Sequence, residues 1–320
     1  MCKSLIARLL LLLALGLGGV EGLCADAGRV VVIYPESAEP AYRTVFQSVI
    51  EGIKQRIPED RLHIHAIDPE HPQPAELKQW LGARSPKAVI TLGRKAFEDY
   101  QSSGYPIPAT SGAIDLSPSL NPNAHGISLS VDPDILFETL EKTTPTIRRV
   151  FVVFNPEKDQ WLIERAKTSA TRRGLELVPL EASDLATATK IYWDIFKRVE
   201  PDRDALWLPL DSKLLDDKNV LPLILEQSWY RRFVVISNSL AHAKLGALIA
   251  VYPDNERLGQ HLAERALRSI AEPGLPKPDI EPLRDVKRAI NKRFADHFGI
   301  DLQGELRTYF DTVLKSDHAD

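Results

Sequence analysis

Short runs of β-branched and other apolar residues punctuate this chain, and stretches with helical spacing fill the gaps between them. RVVVIY (29–34), RLHIHAI (61–67) and KAVITL (87–92) come first, and a short strand-like segment follows within 105–115. Past residue 36 the spacing changes and puts Val45, Val49, Ile50 and Ile53 on one stripe. Shorter helical stretches cover 75–81 and 93–100. Strand-length apolar runs alternating with helices predict parallel strands with helices packed on both faces of the sheet.

Residues 121–134, rich in Pro, Asn, Gly and Ser, interrupt this pattern and read as a domain boundary. The alternation then restarts. RVFVVF (149–154), a run at 175–180, ALWLPL (205–210), FVVIS (233–237) and ALIAVY (247–252) are strands, with helices at 135–143, 159–173, 185–199 and 221–230. A longer helix over 255–270 carries Leu258, Leu262, Ala266 and Ile270 at i, i+4 spacing. The fold class expected is α/β: two doubly wound parallel-sheet lobes joined by crossover hinges. Residues 28–130 with about 254–290 form lobe 1, and 131–253 form lobe 2. A short strand at 286–290 precedes a helical tail, 291–320, whose lobe stays open.

The start of the chain reads as an address. Lys3 and Arg8 precede twelve uncharged residues, LLLLLALGLGGV (9–20). A basic start and a short apolar run match a secretory signal over 1–27, and fall below the ~18–20 residues that a membrane span needs. Cleavage after Ala25 or Ala27 would release a periplasmic product. Cys24 raises lipid anchoring, but Glu21, Gly22 and Leu23 precede it, where lipid attachment wants an aliphatic and then a small residue, so a soluble product is preferred. Cleavage after Ala27 removes both Cys2 and Cys24, leaving no thiol in the mature chain.

Composition excludes more than it selects. With 44% hydrophobic residues and a net charge of −4, the chain is globular and has no electrostatic footprint for nucleic acid. It contains no G-x-S-x-G, H-E-x-x-H, P-loop or G-x-G-x-x-G motif, so neither an enzyme nor a cofactor is expected. His63 and His65 share one strand face, and a solvated face is favoured over a metal pair. Asp216 and Asp217 lack the glycine and spacing of a calcium loop.

Ligands of open parallel sheets bind beyond the carboxyl ends of the strands. In the first lobe those ends present Tyr34, Glu36 and Ser37, then Thr91, Gly93 and Arg94. In the second they present Asn155, then Asp211 and Ser212, then Ser237 and Asn238, then Tyr252 and Asp254. These are the candidate ligand-binding residues. Gly93 opens a helix whose free N–H groups suit an anion, and Asp211 and Asp254 suit an ammonium. Turn-making and capping explain the same Ser, Asn and Asp residues equally well.

Several stretches together resemble a known family. PKAVITLGRKAF (86–97), HGISLSVDPD (125–134), RRVFVVFNPE (148–157), DALWLPLDS (204–212), LGALIAVYPDNERLGQHLAERALRSI (245–270) and VKRAINKRFADHFGIDL (286–302) are similar, in order and spacing, to the solute-binding proteins of ABC transporters with a type 1 periplasmic-binding fold. The branch is the one with candidate aromatic-amino-acid binders. The resemblance implies an exported binder that closes two lobes on a small polar solute, an amino acid being one option, and delivers it to an ABC permease as a monomer. Two departures stand out. SGAIDLSPSLNP replaces the Asp-Pro step after the fourth strand, and Arg94 stands where relatives have a small residue. Arg94 would pair with a ligand carboxylate if it points inward. The main alternative is a periplasmic sensing subunit for a membrane sensor. An exported enzyme would have to use Asp211 and Glu157, and a DNA-binding repressor would need a helix-turn-helix where the signal lies.

Overall fold

The computed structural model describes residues 28–36, 39–272 and 278–315. The expected signal segment, both cysteines and Ser37 lie outside these residues. The first half runs β1 (Val30–Pro35), α1 (Pro40–Lys54), β2 (Leu62–Ile67), α2 (Pro74–Arg84), β3 (Ala88–Leu92), α3 (Gly93–Ser103), β4 (Ala109–Ile114) and β5 (His125–Val131). The second half runs α4 (Pro133–Thr143), β6 (Arg149–Phe154), α5 (Pro156–Arg172), β7 (Glu176–Glu181), α6 (Leu185–Arg198), β8 (Asp204–Leu208), α7 (Val220–Arg231), β9 (Val234–Ser237), α8 (Leu240–Leu245) and β10 (Ile249–Pro253). The chain ends with α9 (Asn255–Ala271), β11 (Asp279–Leu283), β12 (Val286–Asn291), α10 (Lys292–His297), α11 (Gly304–Tyr309) and β13 (Thr312–Leu314).

Two sheets result, ordered β11-β5-β4-β3-β1-β2 and β13-β12-β10-β9-β8-β6-β7. All pairs are parallel except β10 with β12. The α/β, two-lobe architecture expected from the alternation is therefore what the chain forms. The central strands are buried on both faces: Val30 to Ile33 and Val89 to Ile90 are fully buried, as are Ala205 to Trp207. That is why they read as unbroken apolar runs rather than as alternating ones.

Two segments depart from the sequence reading. The Pro/Asn/Gly/Ser-rich stretch at 121–134 is not all connection, because it contains β5. There the chain needs Gly126: a Cβ at that position would lie 2.0 Å from the Ser111 carbonyl oxygen on β4. Glycine in this strand marks a close backbone approach, not a loop. The other is the strand at 286–291. It pairs with β10 and β13 in the second sheet, so the return from the first sheet falls at Arg284 and Asp285 rather than near 290.

The backbone passes between the sheets three times, after β5, after β10 and after β11. The three passages are stitched together. Asp132 N–H donates to Leu283 O at 2.8 Å and Asp254 N–H donates to Asp285 O at 2.9 Å. Arg284 pairs with Asp132, and His261 Nδ1 lies 3.0 Å from Asp285 Oδ2. Asp132 and Asp254 also cap α4 and α9. Helix α9 lies tightly against α1, where Gly52 and Gly259 face one another's helix. A Cβ on Gly52 would sit 1.9 Å from Glu256 O, and one on Gly259 would sit 1.9 Å from Val49 O.

Candidate functional site

The two lobes meet where the end of β4 faces the first turn of α5. Asn155 caps α5 by accepting from Glu157 N–H, and this fixes the next residues on the helix's opening turn. Lys158 follows and reaches across. Its Nζ lies 2.6 Å from Asp115 Oδ2, one residue past β4. It donates to Leu210 O at 2.9 Å, and Asp211 Oδ2 and Asp159 Oδ1 stand 3.8 and 4.0 Å away. On the first-lobe side, Ser130 and Ser128 donate to Asp115 Oδ1 at 2.7 and 3.2 Å. A second bridge between the lobes runs from Ser119 Oγ to Glu157 O at 2.6 Å. Trp161, one turn further along α5, packs on the apolar cluster of Phe97, Ile114, Leu116, Ala124 and Ile280.

The electrostatics of this interface are unbalanced. Three carboxylates surround one ammonium. Burial opposes the charge on Lys158, but Asp115 and Asp159 outweigh it and hold its pKa above the ordinary lysine value. Asp159 goes the other way. Burial, helped by the Asp115 and Asp211 charges, pushes its pKa up to about 7 in spite of Lys158. Three buried polar atoms here have no hydrogen-bond partner: Asp159 Oδ2, Asp211 Oδ2 and Trp161 Nε1. Buried polar atoms in folded proteins nearly always have partners. The interface thus holds two acceptors and one donor in excess of what the chain itself satisfies. This set suits a ligand bearing an ammonium and an acceptor.

Of the residues singled out from sequence, Asn155 and Asp211 belong to this interface, and Ser212 is exposed beside it. Asp211 Oδ1 is engaged by Lys213 N–H at 2.8 Å, which leaves only Oδ2 open. Glu36 and Arg94 line a groove of about 850 Å³ on the first lobe, with Tyr42 and Phe46. Tyr34 packs on Phe46, with ring centroids 6.3 Å apart. Thr91 and Gly93 are buried behind them. Thr91 Oγ1 lies 2.8 Å from Ser111 Oγ, and Gly93 has φ +81° with Phe46 where a Cβ would go.

Ser237 and Asn238 spend their polar atoms within the second lobe. Asn238 Oδ1 accepts from Trp207 Nε1 at 2.9 Å. Ser237 Oγ accepts from Ser239 N–H at 3.1 Å and lies 2.7 Å from His242 Nδ1. His242 Nε2 then faces Asp217 Oδ1 at 3.1 Å. This row of Ser, His and Asp is structural: Ser237 is fully buried and holds the imidazole by Nδ1. Tyr252 lies near the end of β10, its OH 3.4 Å from Thr312 Oγ1, and Asp254 sits at the passage that follows.

Sequence reasoning passed over Asp115, Lys158, Asp159 and Trp161. Asp115 was accessible, as the residue directly after an apolar strand. Lys158 and Asp159 lie one turn inside a helix, beyond the loop to which strand-tip reasoning extends. Among the described residues no three His, Cys, Asp or Glu side chains group as metal ligands, and no helix is long and apolar enough to cross a membrane.

Comparison with known proteins agrees with this architecture. A family model described as ABC transporter substrate binding protein matches residues 118–314. Solved structures with the same fold include an ABC domain from Streptococcus pneumonia in complex with L-Trp, at 16% identity, covering 90% of this chain and 100% of that one, with a TM-score of 0.58. The ligand-free, open form of a substrate-binding protein with adhesive properties from Clostridium difficile is 13% identical over the same shares, with a TM-score of 0.65. A conserved domain protein from Vibrio cholerae is 18% identical over the same shares, with a TM-score of 0.56. No curated protein sequence matches the chain.

Proposed function

Because the chain belongs to the ABC transporter substrate-binding protein family, we propose that it binds an amino acid or a closely related amine between its lobes, outside the cytoplasm, and passes it to an ABC permease without chemical change. The observation that carries this reading is the pair of carboxylate oxygens without a hydrogen-bond partner, on Asp159 and Asp211, buried where the lobes meet. An ammonium supplies the donors that they lack, and an ammonium held by ionised carboxylates makes the strong, charge-assisted type of hydrogen bond. The neighbour from Streptococcus pneumonia holds L-Trp, and Trp161 offers an indole N–H to an acceptor on such a ligand.

Lys158 already occupies part of this site. Its ammonium joins the lobes through Asp115. A ligand ammonium would compete with it for the same carboxylates. Closure would therefore be a shift between two occupants of one acidic site.

The test is thermal denaturation of protein unfolded and refolded to strip bound solute, in the presence of amino acids, simple amines and neutral sugars. Amino acids or amines should raise the melting temperature, and Asp211→Asn should abolish the gain. Stabilisation by sugars alone, or by nothing in the set, would overturn the reading.

A further inference from the structure

The first lobe carries a cavity of about 590 Å³ that no residue of the second lobe lines. This volume falls within the ~300–1,000 Å³ common for small-molecule sites. It opens between β2, α2 and α3. Leu77 and Trp80 give it an apolar wall, while Asp68, Glu76 and Asp99 give it three carboxylates, and its lining contains no Lys or Arg. His65 stacks on Trp80 with centroids 4.1 Å apart and Arg84 covers the same indole at 3.8 Å, so the aromatic wall is fixed in place.

The charges do not cancel. Burial and the Arg84 charge keep the pKa of His65 below its ordinary value, so this imidazole does not offset the carboxylates. His71 is committed to Asp68, at 2.9 Å. Asp99 is the decisive group. Its side chain is buried, the residue being only 6% exposed. Burial raises its pKa, opposed in part by a hydrogen bond from the Gln73 backbone amide, and Oδ1 has no hydrogen-bond partner. Burying a carboxylate oxygen without a donor is costly, and in a native fold it marks a place where a partner belongs.

We propose that this cavity is a second ligand site, separate from the lobe interface, that takes a small organic amine whose ammonium donates to Asp99 Oδ1 while its apolar body lies against Leu77 and Trp80. A bare metal ion does not fit, because no three ligating side chains converge there among the described residues. An anion does not fit, because neither Lys nor Arg lines the wall and His71, whose pKa Asp68 raises, is already paired with that carboxylate.

Phenethylamine is a suitable probe: an ammonium on an apolar body, with no carboxylate. Titrated into ¹⁵N-labelled full-length mature protein, it should shift the Trp80 indole signal saturably. Asp99→Asn should weaken that binding by about tenfold or more, as expected for losing a hydrogen bond to a charged group. Glu76→Gln, an exposed change that leaves the fold untouched, should weaken it about two- to threefold. Asp159→Asn should leave the Trp80 titration unchanged, which separates this site from the one between the lobes. Two results would overturn the proposal. One is no saturable Trp80 shift at about 10 mM probe, which would mean that only water meets Oδ1. The other is an unchanged affinity in Asp99→Asn.

Discussion

Asp159 and Lys158 are chain neighbours under opposite pressure from the same surroundings. Asp159 has a folded pKa of about 7 against an ordinary value of 3.8, so the folded state holds its proton more tightly than the unfolded chain does. The stability this contributes is complete below the unfolded value and is lost as pH rises through about 7. Replacing Asp159 with Asn removes the dependence. The variant's advantage over wild type should grow between pH 4 and pH 8, by about 1–3 kcal/mol. Melting curves at the two pH values check this, and a gap that fails to grow with pH would refute it. His242 has the reverse sign. Burial lowers its pKa below 6.5, so its neutral form supports the fold and stability falls as pH drops through that value. Removing the imidazole with His242→Gln should flatten the slope below pH ~6.5 at some overall loss of stability, measurable by the same melts.

At the level of elements, the clearest dependence is where α1 crosses α9. The obstacles at Gly52 and Gly259 are backbone carbonyls, which cannot swing aside as a side chain does. Gly52→Ala or Gly259→Ala must push the helices apart, at about 1–3 kcal/mol or more. Gly82 in α2 has nothing within 4 Å of its missing Cβ. There the same change should stabilise by about 0.5–1 kcal/mol, because alanine favours helix where no clash intervenes. Urea denaturation of the three variants would show whether the signs differ as expected. The elements themselves were largely legible in the sequence. VVVIY, AVITL and VFVVF are almost wholly apolar because sheet neighbours and helices cover both faces of each strand. β5 was harder to read, since HGISLSV sits in polar, glycine-bearing chain and its glycine serves contact rather than bending. The ligand-facing groups were harder still. Ser237 and Asn238 look like any polar strand tip, and only the fold shows that His242 and Trp207 already occupy them. Nothing in the sequence links Asp115 with Lys158, which meet only after both lobes have folded.

For the molecule as a whole, the Lys158–Asp115 pair is an ionic contact that ties one lobe to the other. Lys158→Met removes the cation that joins Asp115 to the second lobe, which should favour the open form. Small-angle scattering of the empty protein should then show a larger radius of gyration, by roughly 1 Å, which added ligand reverses. Asp115→Asn should act in the same direction, and the double variant should open no further than either single one. The three passages between the sheets have a consequence of another kind. Neither lobe is a continuous stretch of chain. The first sheet waits for β11 at its edge, and the second waits for β12, which must slot between β10 and β13. Both lobes are therefore finished by residues 279–314, the last part of the described chain to leave a ribosome. Until then every nascent form has an unfilled sheet edge, so folding is completed only once residues 279–314 have been made, and for both halves almost at once.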